Sequence, residues 1–195
     1  MNPRAATFKR ETRETSISVS LNLDERSPPQ ISTGVRFLDH MLESLTIHAR
    51  IGLVVSCVGD VYVDDHHTVE DCALAIGAAI NEALRDRAGI ERFGDAFAPM
   101  DESLARAVID LSGRPSARVN LALSRERLGD VSCENLTHFF ISLAVPLRAA
   151  IHLDVLRGDN DHHKAEAAFK AFALALRRAI TRDGSALVPS AKGVL

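Results

Sequence analysis

The sequence contains the same phrase twice: Asp64-Asp65-His66-His67-Thr68-Val69-Glu70-Asp71 and Asn160-Asp161-His162-His163-Lys164-Ala165-Glu166-Ala167. Each copy is a His-His-x-x-Glu. Residues three and four apart share a helix face, so the spacing predicts Glu70 beside His66 and His67, and Glu166 beside His162 and His163. Imidazole nitrogens and a carboxylate then converge as donors for a borderline or hard divalent cation. A further histidine precedes each copy, His40 in Asp39-His40-Met41-Leu42 and His138 in Thr137-His138-Phe139-Phe140. These eight donors divide evenly between the halves of the chain, which predicts two equivalent metal sites related by pseudo-twofold symmetry. Adjacent residues at a helix start diverge by about 100°, so His66 and His67 are expected to serve different ions. His48 and His152 fall outside the pattern and read as structural.

The flanking elements repeat as well. Ser16 to Leu23 alternates apolar and polar residues and reads as a half-buried strand, followed by a turn over Asp24 to Gln30. An amphipathic helix from Val35 to about Ala49 carries His40. Ile51 to Val63, rich in Val and Ile with Gly59-Asp60 inside it, reads as a hairpin or two short strands. An Ala-rich helix then runs from Thr68 to about Ala88, with Gly89 as its C-cap. In the second half the alternation at Ala117, Val119, Leu121 and Leu123 mirrors the strand at Ile17. Asn135 to about Ala150 forms the His138 helix, disturbed by Pro146, Ile151 to Leu156 forms a strand, and Lys164 to about Arg178 forms the last helix. Matching positions lie about 96 to 100 residues apart, which indicates a duplicated half-domain rather than an array of short repeats.

Composition narrows the function. The 195 residues are 46% apolar, enough for one domain with a sizeable core. A net charge of −3, with 23 basic residues interspersed among 26 acidic ones, argues against nucleic-acid and membrane partners. No apolar run reaches membrane-spanning length and the first residues lack a signal-peptide core, so a cytoplasmic location is expected. Cys57, Cys72 and Cys133 lack CxxC spacing and read as small apolar residues in the core.

Beyond the histidines, several motifs are specific. They are Arg10-x-Thr12-x-Glu14-Thr15, Thr33-Gly34-x-x-Phe37-x-Asp39-His40-Met41-Leu42, Arg92-Phe93-Gly94 and Pro99-Met100-Asp101-Glu102. Asp110-Leu111-Ser112-Gly113-Arg114-Pro115 and the tail Pro189-Ser190-Ala191-Lys192-Gly193 complete them. With the two His-His-x-x-Glu phrases, the chain resembles the imidazoleglycerol-phosphate dehydratase family over nearly its whole length. It departs from the family pattern at Arg36, at Ala191 and in the turn from Asp24 to Pro29, none of which removes a proposed ligand.

The resemblance implies an α+β fold of internally duplicated half-domains, each a four-stranded sheet with helices, the helices packed between the two sheets. It implies one catalytic domain over residues 1–195, made of two repeats, about 1–100 and 101–195, with no room for a fused phosphatase domain. The implied activity is dehydration of imidazole glycerol phosphate to imidazole acetol phosphate in histidine biosynthesis. The bond to be broken is next to no carbonyl, so the ring itself must carry the charge, and a metal on a ring nitrogen lowers the N–H pKa. Two Mn2+ ions per active site are expected, with Fe or Zn also compatible with the donors. His40, His66, His67, Glu70, His138, His162, His163 and Glu166 are the implied ligands. Glu14 is the implied base in the first strand region, and Arg92, Arg114, Ser190 and Lys192 bind the phosphate of the small-molecule substrate. The family assembles as a homo-oligomer of twenty-four subunits built from trimers, with active sites at subunit contacts. Two readings of the same histidines compete: a dinuclear metallohydrolase, which needs neither the arginines nor the tail, and a non-catalytic metal-binding assembly, in which Glu14 and Lys192 have no role.

Overall fold

In the computed structural model, which describes residues 3–193 and 195, the first half runs β1 (Ala5–Glu11), β2 (Thr15–Asn22), β3 (Gln30–Ser32), α1 (Arg36–Ala49), β4 (Gly52–Gly59) and α2 (His66–Leu84). The second half runs β5 (Phe93–Met100), β6 (Ser103–Asp110), β7 (Ser116–Asn120), a short β8 (Arg127–Leu128) and β9 (Val131–Ser132) hairpin, α3 (Cys133–Leu147), β10 (Ala150–Arg157) and α4 (Asp161–Ala179). The sheets have matching orders, β1-β2-β4-β3 and β5-β6-β10-β7. In each, the last edge strand is parallel to its neighbour and the other pairs are antiparallel.

Period-two patterning gives each sheet one apolar face. Ile17, Val19 and Leu21 of β2 and Leu53, Val55 and Cys57 of β4 are buried, as are Ala105, Ala107 and Ile109 of β6 and Ile151, Leu153 and Val155 of β10. Helix α2 lies on the first sheet and against α3, while α4 lies on the second sheet and against α1. The helices thus fill the space between the sheets, as expected. Phe139 and Phe140 of α3 meet Phe169 and Phe172 of α4 there, with the Phe140 and Phe169 rings 4.7 Å apart. Each such ring contributes roughly 1.5–3 kcal/mol through burial.

Several expectations are corrected. The strand at Ala117 is β7, an edge strand parallel to β10, so its counterpart is β3; the strand at Ile17 is matched instead by β6. Both candidates alternate in the same way, and only the pairing partner distinguishes them. Strand β5 pairs with β6, so the second sheet begins at Phe93. Ile51 to Val63 holds one strand, β4, and a following turn rather than a hairpin. Gly59 ends the strand for a packing reason: a Cβ there would collide with Thr68 Oγ1 on α2. Helix α2 stops at Leu84 with Arg85 as its cap, and Gly89, at φ 65°, turns the following loop against Ser185. Pro146 sits in the last turn of α3, which continues to Leu147, and packs over Gly77, where α2 and α3 come closest in this region.

A buried guanidinium joins the halves. Arg87, 3% exposed, donates to the carbonyls of Leu111 (2.8 Å), Leu147 (2.7 Å) and Arg148 (3.0 Å) and to Asn81 Oδ1 (2.7 Å). The two arginine nitrogens satisfy the open carbonyl end of α3 and the end of β6 together. Burial pulls its pKa down, and the nearby Arg148 adds to the shift. Arg87→Met should leave these carbonyls unpaired and destabilise the protein by about 3 kcal/mol in urea unfolding. Arg87→Lys should recover only part of this, because an ammonium cannot reproduce the fork. A loss below about 1 kcal/mol for the Met variant would show that water takes over the role.

Candidate metal centres and active site

The starts of α2 and α4 are held by buried carboxylates. Asp65, immediately before α2, accepts from Ser132 N (2.8 Å), Ser132 Oγ (2.8 Å), Asn135 Nδ2 (2.9 Å) and Arg127 (3.2 Å), all from the other half. Burial raises its pKa, but these donors outweigh it and the net shift is downward. Asp161, the first residue of α4, accepts from Ser124 N and Oγ, Arg125 N and the Lys164 ammonium. It too is burdened by burial and pulled well below the carboxylate range by its donors. Asn160 caps α4 by accepting from His162 N at 2.9 Å. Helix α1 is capped from across the molecule, where Asp130 accepts from Arg36 N (2.7 Å) and Phe37 N (3.0 Å).

From these anchored helix starts two groups that could hold a metal ion emerge among the described residues: His66, Glu70 and His138, and His40, His162 and Glu166. Within each group the ligand atoms all lie within 4.8 Å of one another. Each group draws two residues from one half and one from the other. In the first, Glu70 lies 3.0 Å from His138 Nε2 and 3.9 Å from His66 Nε2, and the two rings stack at 4.8 Å. In the second, Glu166 lies 3.5 Å from His162 Nε2 and 3.8 Å from His40 Nε2, with Phe37 set edge-on to His162 at 5.1 Å.

Ring orientation is set from behind. Asn135 gives its amide N–H to Asp65, so its Oδ1 accepts from His66 Nδ1 at 3.0 Å, which leaves His66 Nε2 as the donor atom. The hydrogen bond from His138 lowers the pKa of Glu70. Burial raises that of Glu166, but the Lys170 ammonium at 2.7 Å and the two histidines outweigh it, so it too is lowered. Imidazole nitrogens and ionised carboxylates fit a divalent cation of the Mn, Fe or Zn type.

His67 and His163 belong to neither group, and neither ring is within ion-pair distance of Glu70 or Glu166. The His67 ring instead places Nδ1 3.1 Å from Asp60 and Nε2 3.8 Å from Glu14. His163 places Nδ1 2.7 Å from Glu102 and Nε2 3.8 Å from Asp101. These carboxylate hydrogen bonds raise the pKa of both rings. Glu14 stands in the turn between β1 and β2, not in a strand, and is exposed.

The remaining polar residues gather at a separate corner. Arg92 forks onto Asp110 (2.7 and 3.1 Å) and donates to Pro189 O at 2.8 Å, tying the tail down just before Ser190. Exposed Arg114 donates to Ser112 O, Ser190 Oγ accepts from Lys192 N, and Leu195 lies over Gly113. Among the described residues, no hydrogen bond or ion pair links this corner to either His–Glu group.

Residues 33–176 match the family model described as imidazoleglycerol-phosphate dehydratase. A protein of that name from Chlorobium luteolum is 54% identical over 193 residues, covering 99% of this chain and 96% of its own. The chain belongs to this family. A Phytophthora nicotianae relative is also 54% identical, over 98% of this chain but 42% of its own length. The crystal structure of the Pyrococcus furiosus enzyme has a TM-score of 0.83 at 35% identity, covering 96% of this chain and 99% of that one. The resemblance seen in the motifs is borne out, and with it the assignment to the hydro-lyases of histidine biosynthesis.

Within this dehydratase scaffold, Asp60, Asn135 and Glu102 were not found from the sequence as partners of the histidines, nor was Asp65 behind Asn135. Glu102 could have been found from its place: it stands one residue before β6, as Glu14 stands one before β2. The buried carboxylates also give the protein an acid sensitivity. Because the folded pKa of Asp161 is depressed, its contribution is complete above the unfolded value of about 3.9 and disappears as pH falls through the folded one. Metal-free Asp161→Asn should therefore be less stable than wild type in urea at neutral pH, with the gap narrowing below about pH 4. A gap that stays constant with pH would show that the Asp161 charge contributes nothing.

Proposed function

We propose that this chain is a single catalytic domain that dehydrates imidazole glycerol phosphate to imidazole acetol phosphate, with His40, His66, His67, Glu70, His138, His162, His163 and Glu166 as ligands of two Mn2+ ions. The observation that carries the reading is the pair of His–His–Glu groups, built by the two halves on a dehydratase scaffold. An imidazole substrate offers two ring nitrogens, and the chain offers two groups of donors. A bound divalent ion would supply Lewis acidity at a ring nitrogen. Manganese rests on the family resemblance; the donor set also suits Fe and Zn.

The chain's own residues divide the rest of the work. Asn135 and Asp60 hold His66 and His67 by Nδ1, so that Nε2 is presented. Glu14, exposed beside His67 Nε2, takes the carbon-bound proton on a carboxylate oxygen. Arg92, whose planar fork Asp110 fixes in place, joins Arg114, Ser190 and Lys192 in receiving the phosphate. Departure of the hydroxyl and proton leaves an enol that becomes the ketone. No helix among the described residues is long and apolar enough to cross a membrane, and a cytoplasmic location fits the pathway.

The active site is assembled between copies of the chain, in an oligomer of twenty-four subunits built from trimers. Three features support this. His67 and His163 stand outside the three-residue groups of their own chain, and among the described residues no hydrogen bond or ion pair links the phosphate corner to those groups. Beside the start of α2, Val61, Tyr62 and Val63 are exposed, Tyr62 by 89%. So large an apolar run next to a site fits a subunit contact.

Mn-reconstituted protein incubated with imidazole glycerol phosphate should give the ketone, and Glu14→Gln should lower turnover by roughly 10²–10⁴-fold with metal content unchanged. No product with Mn, Fe or Zn would sink the reading. The shared site is checked by complementation. A His67→Asn, His163→Asn double variant and a Glu70→Gln, Glu166→Gln double variant should each be inactive, yet regain activity when dissociated and reassembled together. No recovery in verified mixed assemblies would place the whole site within one chain.

A further inference from the structure

The two halves contain the same carboxylate–histidine contact, used in two ways. Strand β2 begins at Thr15 and β6 at Ser103, in the same place in their sheets, so the turn residues Glu14 and Glu102 correspond. Two glycines confirm the correspondence. A Cβ at Gly59 would collide with Thr68 and touch Thr15, and one at Gly158 would collide with Ser103 and crowd Lys164. Each is wedged between the start of the second strand and the helix that bears the histidine pair.

Within this shared frame the ring partners differ. In the first half Asp60, the residue after Gly59, takes His67 Nδ1, and Glu14 is left opposite Nε2. In the second half Glu102 takes His163 Nδ1 itself, at 2.7 Å through Oε2. An ionised carboxylate only accepts, so the contact fixes the proton on Nδ1 and leaves the lone pair on Nε2. The other oxygen, Oε1, is also committed. It accepts from Asn160 N (2.9 Å), Asp159 N (3.2 Å) and Ser103 Oγ (3.0 Å), which locks the carboxylate to the start of α4.

Resting on the metal-dependent reading above, we propose that Glu102 is a positioning residue which holds His163 in the tautomer that presents Nε2 to a metal ion, the task that Asp60 performs for His67. The exchange explains why one half keeps a free glutamate and the other does not. With Asp60 holding the ring, Glu14 remains available for proton transfer. Glu102, bound by four donors, is the counterpart that has become part of the ligand's support.

Glu102→Gln tests this. The amide oxygen can still accept from Asp159 N and Asn160 N, but its NH2 now faces His163 Nδ1 and favours the proton on Nε2, where no metal can bind. Chelator-competition titration of the intact, reassembled protein with Mn2+ should show one of the two ions bound about 10–100-fold more weakly and the other unchanged. Asp60→Asn should weaken one ion likewise, and Glu14→Gln should weaken neither. The urea midpoint of metal-free Glu102→Gln should stay near that of wild type. Unchanged affinities overturn the proposal, as does an equal weakening of both ions, which would mark a general structural role. Failure of the wild-type protein to bind any divalent ion would instead remove the metal reading and this proposal with it. If the variant does not assemble, 15N shifts of the histidine rings in metal-free wild type at mildly alkaline pH decide the matter. His163 should carry its proton on Nδ1, and a proton on Nε2 overturns the assignment.

Discussion

The start of α2 depends on Asp65, a carboxylate taken out of solvent and satisfied entirely by groups from the other half of the chain. Ser132, Asn135 and Arg127 surround it. A buried charge is tolerable only when its oxygens are fully engaged, so the first half cannot seat this helix without the hairpin and helix of the second. Asp130 returns the favour at α1, where it receives the free N–H groups of a helix that has no capping side chain of its own. Arg87 closes a third connection at the far end of α3. The halves are therefore interlocked through their polar groups as well as through the phenylalanines between the sheets.

This interlocking also builds the chemistry. Asn135 touches Asp65 with one end of its amide and His66 with the other, so the contact that seats the helix also sets the histidine tautomer. The same crossing places His138 beside Glu70 and His40 beside Glu166. Duplication supplied similar parts, and packing of each half against the other turned them into mixed sites. The two sites are not copies in detail. Glu166 is shared with Lys170 and Phe37 stands edge-on to His162, while the Glu70 group is joined by Ser142 through His138. Pseudo-symmetry governs the backbone, and the side chains around each site have diverged upon it.

Much of this was legible in the residues. The two His-His-x-x-Glu phrases announce helix starts with donors on one face, and the i,i+4 pairs His66–Glu70 and His162–Glu166 are where the helical repeat puts them. Alternation located β2, the Ala-rich run located most of α2, and the cysteines are buried and free. Less legible was the pairing of strands. Ala117 to Leu123 alternates as Ile17 to Leu23 does, and periodicity reports which face is apolar without naming the neighbour. Gly59 looked like a hairpin turn because a glycine demanded by close packing leaves the same mark as one demanded by a turn.

The sequence by itself determined the inventory of donors, their placement at the starts of helices and the existence of two related halves, because these follow from local spacing and helical geometry. Tertiary structure alone decided that each donor group is shared between halves, that His67 and His163 stand apart from them, and that Asp60 and Glu102 take up Nδ1 of those rings. The reason is physical. Glu102 and His163, 61 positions apart, and His40 and Glu166, farther still, become neighbours only when sheets pair and helices pack, and no periodicity along the chain records which of several similar surfaces will meet.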